Sequence, residues 1–82
     1  MLLRDVMGKL KWTGQLKDAE VTIVHRGAPG DRKTINGARI TDVDKGYFYY
    51  KDSTVRFETT IPLHRIVEVK ANGKTIWRKR ER

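Results

Sequence analysis

Hydrophobic residues near the start of the chain recur at the spacing of an α-helix. One helical face carries four apolar side chains at positions i, i+3, i+4 and i+7, namely Leu3, Val6, Met7 and Leu10. This pattern predicts a short amphipathic helix. So short a helix is only marginally stable alone, and Gly8 lowers its stability further, so we expect it to dock on the rest of the fold.

Beyond Asp18 the hydrophobic period changes to about 2, which is the spacing of β-strands. Turn signals such as Asn36-Gly37 and Asn72-Gly73 separate the apolar stretches, and short connections of this kind favour antiparallel hairpins. Predicted strands lie near residues 21–25, 39–43, 47–51, 54–59, 66–70 and 75–79. The sequence therefore predicts an α+β fold with the N-terminal amphipathic helix packed on a five- or six-stranded antiparallel meander, as a curved sheet or a small partly open barrel. We expect residues 1–82 to form a single domain with a basic C-terminal tail at 78–82.

The aromatic residues divide between the expected core and the surface. In a strand over Tyr47–Tyr50, Tyr47 and Tyr49 share one face while Phe48 and Tyr50 share the other, and the face with Phe48 is expected in the core. Trp12 and Trp77 are predicted to be packing anchors, because so small a domain has few large apolar residues.

The net charge of the chain indicates which class of partner it attracts. The chain carries a net charge of +8, concentrated at its two ends, and such a field attracts polyanions, among which nucleic acid comes first. The absence of cysteine excludes disulfides and thiolate metal sites, and the two histidines lack acidic residues at ligand spacing, so neither a metal nor a cofactor is expected. Without a long apolar run or a signal peptide, the protein is predicted to be cytoplasmic and to have no membrane contact.

A first candidate site is the segment 25–33, which follows a predicted strand. It combines glycines, whose backbone N–H groups can approach an anion closely, with cations that bind phosphate oxygens. The alternative interpretation is a Gly-Pro turn with solvated charges. The candidate residues are His25, Arg26, Gly27, Gly30, Asp31, Arg32 and Lys33.

A second candidate is the segment 61–66, in which Pro62 interrupts two apolar flanks and His64-Arg65 starts the next predicted strand. Its alternative interpretation is a strand-edge junction with a packed, hydrogen-bonded histidine. Arg65 could equally pair with Asp31 or Glu68.

Three separated blocks of the sequence stand out: Leu3-Arg4-Asp5-Val6 with Lys11-Trp12, then the segment 25–33 with Ile35 and Gly37, and finally Ile61-Pro62, His64-Arg65-Ile66 and Trp77-Arg78. In this order they resemble the RNA cyclic group end recognition domain family, a small and mainly archaeal group. The resemblance spans nearly the whole chain. It implies recognition of RNA ends that bear a cyclic or terminal phosphate, and partners such as RNA ligase-like or nucleotidyltransferase proteins.

The leading hypothesis is an RNA-binding module without catalytic activity, either monomeric or weakly dimeric. Its recognition residues would be those of the segment 25–33 together with His64 and Arg65, and auxiliary basic contacts would come from Arg78, Lys79 and Arg80. Two alternatives stay open: a small RNA phosphoesterase that uses His25 and His64 as acid and base, and a structural ribonucleoprotein component. Whether the two His-Arg segments converge on one surface decides if they share a site.

Overall fold

The computed structural model describes residues 2–27, 29–51 and 56–79 and has an α+β architecture. One N-terminal helix, α1 (Leu3–Thr13), accompanies two antiparallel sheets, one with the strand order β2-β1-β6-β7 and the other with the order β3-β4-β5. The strands are β1 (Ala19–Val24), β2 (Arg32–Asn36), β3 (Ile40–Val43), β4 (Tyr47–Tyr50), β5 (Thr59–Pro62), β6 (Ile66–Ala71) and β7 (Lys74–Arg78).

Helix α1 confirms the amphipathic pattern of the sequence. Its apolar face packs into the core through Val6, Met7 and Leu10, all of which are buried. The helix ends at Gly14, which adopts the left-handed conformation at φ 72° that favours glycine after a helix. Among the described residues no helix is long and apolar enough to cross a membrane.

The core lies between the inner face of the four-stranded sheet and the three-stranded sheet, with α1 packed against it. In β1 the buried residues alternate with exposed or half-buried ones, and Val21 pairs with Ile35 on one side and Val69 on the other. The outer face of this sheet is polar, and Thr22 and Thr34 meet there with their hydroxyl oxygens 3.1 Å apart. Strand β1 therefore buries one side, as the period of 2 requires.

The strand prediction needs three corrections. The described residues form seven strands in two sheets that do not make a closed barrel, instead of one meander of five or six strands. Strand β2 was not predicted, because it is an edge strand with one buried residue, Ile35, directly after a segment rich in turn residues. Strand β5 lies at Thr59–Pro62 rather than 54–59, and Pro62 is tolerated because β5 is also an edge strand. Residues 54 and 55 lie outside the described part of the chain.

The aromatic residues follow the predicted division except at one position. Phe48 and Tyr50 are buried on the inner face of β4, with ring centroids 6.3 Å apart, while Tyr47 is exposed. Trp77 packs against the core as predicted. The prediction that Trp12 anchors the core was wrong, because its side chain is 90% exposed. Two positions beyond a buried helical residue lie about 200° around the helix axis, so Trp12 points away from the core that Leu10 enters.

Candidate nucleic-acid interface

The strand termini that carry the predicted site residues meet at one end of the four-stranded sheet. Val24, the last residue of β1, pairs with Arg32, the first residue of β2. On the other side of β1, Ile23 pairs with Ile66, the first residue of β6. The segment that follows β1 and the segment that precedes β6 therefore start from neighbouring positions of the sheet.

The two histidines lie the same number of residues away from the Ile23–Ile66 pair. His25 lies two residues after Ile23, and His64 lies two residues before Ile66. Each histidine is followed by an exposed arginine. The structure thus brings the two His-Arg segments to one end of one sheet, although they are far apart in sequence. We call this surface the basic edge; it comprises His25, Arg26, Arg32, His64, Arg65, Arg78 and Lys79.

The loop between β1 and β2 reverses the chain through left-handed backbone conformations. Gly27 has φ 92° and Gly30 has φ 68°, and Asp31 adopts φ 54°, a region that Asp tolerates better than most residues with a side chain. The loop is closed by a backbone hydrogen bond of 2.8 Å from the N–H of His25 to the carbonyl of Asp31. This closure leaves the side chains of His25 and Arg26 exposed to solvent.

The second segment is held between the two sheets. A 3₁₀ turn over Leu63–Arg65 connects β5 to β6, so the prediction that His64-Arg65 starts a strand is corrected: β6 begins at Ile66. Leu63 is buried, and its N–H donates a hydrogen bond of 2.9 Å to the carbonyl of Gly46 in the turn between β3 and β4. His64 and Arg65 are exposed on this anchored turn. The contact with Gly46 was not predicted, since it joins residues without any shared local pattern.

The end of the described chain joins the same surface. Strand β7 ends at Arg78, which pairs with Glu68 of β6. The next residue, Lys79, donates its backbone N–H to the carbonyl of Val67 at 2.8 Å and its Nζ to the carbonyl of His64 at 3.2 Å. Two of the three predicted auxiliary cations thus lie beside the second His-Arg segment, whereas Arg80 lies outside the described residues.

Among the described residues, the ion pairs near this surface involve side chains other than those of its two central arginines, Arg26 and Arg65. The Glu68 carboxylate, a predicted partner of Arg65, lies 3.5 Å from Nη2 of Arg78 and 4.0 Å from Nζ of Lys70. Within the described ranges, neither Arg26 nor Arg65 has an ion pair with its side chain. Both guanidinium groups are exposed and can donate hydrogen bonds to an external anion.

Lys33 differs from the other predicted site residues because it faces inward. It pairs with Ile23 in the ladder, and its Nζ lies 3.4 Å from the hydroxyl of Tyr50 and 5.5 Å from the centroid of the Tyr50 ring. A cation over an aromatic face is a stabilising arrangement. Lys33 therefore bridges the two sheets beside the basic edge rather than extending from it.

The three-stranded sheet contains two groups whose pKa values are shifted, Asp42 and Tyr49. The carboxyl of Asp42 accepts a hydrogen bond from Lys11 and another from the N–H of Val43, and these contacts hold its pKa below the usual value of 3.8. Burial raises the pKa of the Tyr49 hydroxyl, and the negative charges of Asp44 and Asp42 raise it further. The Asp42 charge is therefore paired with that of Lys11 from α1. Among the residues with described positions, no cluster of His, Asp or Glu could hold a metal ion.

Comparison with known proteins gives one family. The family model described as the MJ1316 RNA cyclic group end recognition domain matches residues 1–79. A UPF0248 protein of Thermococcus gammatolerans is 39% identical over 83 residues, which cover 98% of this chain and 92% of that protein. The UPF0248 protein MJ1316 of Methanocaldococcus jannaschii is 36% identical over 84 residues, covering 96% and 95%. One from Metallosphaera sedula is 35% identical over 78 residues, covering 94% and 91%. No solved structure matches the chain.

Proposed function

The chain belongs to the family of the MJ1316 RNA cyclic group end recognition domain, and from this membership we propose that it binds RNA ends that bear a phosphate, including a 2′,3′-cyclic phosphate, at the basic edge. One observation carries the proposal: the exposed His25-Arg26 and His64-Arg65 segments extend from neighbouring strand ends. Two exposed arginines close to neighbouring strand ends suit a phosphate group, because each guanidinium can donate two parallel hydrogen bonds to its oxygens.

In the proposed complex, Arg26 and Arg65 grip the terminal phosphate from the two sides of the β1–β6 pair. His25 and His64 donate hydrogen bonds to the remaining phosphate oxygens or to the neighbouring ribose. Asp31 accepts a bond from a ribose hydroxyl, which is the group that distinguishes RNA from DNA.

The remaining cations add affinity that does not depend on sequence. Arg32 lies at the start of β2, Arg78 at the end of β7 and Lys79 directly after it, so they flank the central pair on both sides. Contacts of this kind neutralise backbone phosphates and release counterions, which makes binding sensitive to salt. The RNA terminus would thus lie at the centre of this end of the sheet, with cations on both sides of it.

The test compares three labelled RNAs of one sequence that end in a 2′,3′-cyclic phosphate, a 3′-phosphate or a hydroxyl group, with fluorescence anisotropy as the measurement. We expect the phosphate-bearing ends to bind more tightly than the hydroxyl end, and Arg65→Ala to remove this preference. Lys74→Ala is the matched control, because it removes an exposed cation from the opposite end of β7. Equal affinity for all three ends would contradict end recognition and would fit a structural role in a ribonucleoprotein.

The equivalent positions of His25 and His64 also favour a second candidate, a cyclic phosphodiesterase. In that reaction water adds across one P–O ester bond of the cyclic phosphate and leaves a 2′- or 3′-phosphate, with one histidine removing a proton from water and the other donating one to the leaving oxygen. Mass analysis of cyclic-phosphate RNA after incubation with the protein distinguishes the candidates. Turnover that is lost in both His25→Ala and His64→Ala would favour the enzyme, and an unchanged RNA would favour the binding module.

A further inference from the structure

A surface groove separates α1 from the turn between β3 and β4, on a part of the molecule that the basic edge does not include. It has a volume of about 500 Å³, and its lining residues include Arg4, Gly8, Trp12, Val43 and Lys45. Trp12 is 90% exposed, although tryptophan has a large apolar ring that folding normally removes from water. A ring left in solvent beside a groove is available to contact a flat ligand.

Gly8 lies in the same groove and has no evident structural reason to be glycine. It sits inside α1, where glycine is less favourable than alanine, and its φ is not in the left-handed region. A Cβ added there would meet nothing within 4 Å, so close packing does not require glycine either. Residues four apart share a helix face, so Gly8 leaves a gap between Arg4 and Trp12. Glycine at position 8 therefore places no side chain between Arg4 and Trp12 in this groove.

We propose that this groove is a stacking site for an unpaired nucleobase of bound RNA, with the base on the indole of Trp12 and the adjoining phosphate near Arg4 and Lys45. The inference rests on the proposed RNA binding and extends it by a second contact. Stacking of a base on an exposed aromatic ring beside cations is a general way of holding single-stranded RNA. The lining supplies Arg4 and Lys45 as cations for a phosphate, while Lys11, which also lines the groove, is engaged by Asp42.

The groove is connected to the basic edge through the β3–β4 turn. Lys45 in the groove wall is followed by Gly46, whose carbonyl accepts the hydrogen bond from Leu63, and Leu63 immediately precedes His64. One anchored turn therefore borders both surfaces. An RNA terminus held by His64 and Arg65 can continue along this turn and place an upstream base on Trp12.

Intrinsic fluorescence provides a direct test. In a Trp77→Phe background, Trp12 is the sole tryptophan. Titration with a single-stranded RNA that ends in a 3′-phosphate is followed both by Trp12 emission and by anisotropy of a labelled copy. We expect emission to be quenched in parallel with the anisotropy change. Binding that leaves Trp12 emission unchanged would overturn the stacking site alone, whereas no binding by either signal would overturn the RNA-binding proposal and this inference with it.

Substitutions in the groove give an independent test. Trp12→Ala is expected to weaken RNA binding about 5- to 100-fold, and Trp12→Phe to retain most of the affinity. Gly8→Leu should fill the gap beside Trp12 and weaken binding while α1 becomes more stable, which separates occlusion from unfolding. Phe57→Ala removes another exposed aromatic ring and is the matched control. Full affinity in both Trp12→Ala and Gly8→Leu, or an equal loss in Phe57→Ala, would overturn the proposal.

Discussion

The side-chain amine of Lys79 donates a hydrogen bond to the backbone carbonyl of His64 at 3.2 Å. The backbone N–H of Lys79 also bonds to the carbonyl of Val67 at 2.8 Å, so the chain after β7 is fixed against the turn that precedes β6. An ammonium group has three donors, and the contact with His64 uses one of them. The Lys79 charge is therefore positioned beside the second His-Arg segment and still has donors for a phosphate.

Removal of the Lys79 charge should weaken RNA binding through electrostatics. We expect Lys79→Ala to lower the affinity for all RNA ends alike and to reduce the log-log salt slope by about 0.7, the value for one phosphate contact on a single strand. Affinities measured across a series of salt concentrations check this. Lys74→Ala is the control at the far end of β7; a slope that falls equally in both variants would show that only net charge matters.

Arg26 and Arg65 should act on RNA as a coupled pair. If both guanidinium groups contact one terminal phosphate, the losses in Arg26→Ala and Arg65→Ala will not add in the double variant, and the coupling free energy should be about 0.5–3 kcal/mol. This double-mutant cycle is measured with RNA that ends in a 3′-phosphate and again with RNA that ends in a hydroxyl group. Additive losses on the phosphate-bearing RNA would mean that the two residues contact separate groups.

The β1–β2 loop should depend on glycine at positions 27 and 30. Both residues have positive φ, where a side chain costs about 1–2 kcal/mol, while nothing within 4 Å would contact an added Cβ. Gly27→Ala and Gly30→Ala are thus expected to lower the unfolding free energy by roughly that amount and to reduce RNA affinity. Urea denaturation gives the stability, and anisotropy gives the affinity. Unchanged values for both would show that the loop adopts another conformation without cost.

Gly37 and Gly8 should respond to alanine in opposite directions. A Cβ at Gly37 would lie 1.8 Å from the carbonyl oxygen of Leu16 and 2.7 Å from that of Ala19, so Gly37→Ala forces two backbone segments apart. We expect a loss of roughly 1–3 kcal/mol or more. Gly8→Ala, which meets open space in a helix, should add up to about 1 kcal/mol. Thermal and urea unfolding of the two variants measure these changes in stability. A Gly8→Ala variant that is less stable than the parent protein would contradict the interpretation that position 8 faces an open groove.

The contact between Lys11 and Asp42 should appear in the titration of the acid. Asp42 has a pKa below its usual value of 3.8, chiefly because Lys11 donates to it. Lys11→Ala should raise this pKa, although the Val43 N–H still donates and keeps it from rising fully. Since the depressed pKa belongs to the folded state, its stabilising effect is present above pH about 4 and is lost as the pH falls through the folded pKa. NMR titrations that follow the Asp42 carboxyl carbon in the parent protein and in Lys11→Ala test this prediction. Identical pKa values in the two proteins would refute it.

Local patterns in the sequence determined several features correctly. The spacing of Val6, Met7 and Leu10 predicted helix α1 and its buried face, and alternation along β4 predicted that Phe48 is buried while Tyr47 is exposed. These predictions succeeded because the periods of helices and strands fix which side chains share a face, whatever the rest of the chain does. The exposure of Trp12 follows from that same helical period, so the sequence contained its signal.

The arrangement of the basic edge was decided only by the tertiary structure. The sequence marked His25-Arg26 and His64-Arg65 as candidates, but their meeting depends on the pairing of β1 with β6, which are separated by four other strands along the chain. Strand pairing over such a separation follows from burial of both inner faces in one core, and no local period specifies it. The sequence by itself marked the groups that could bind an anion, and the fold decided that the segments carrying them lie at one end of one sheet.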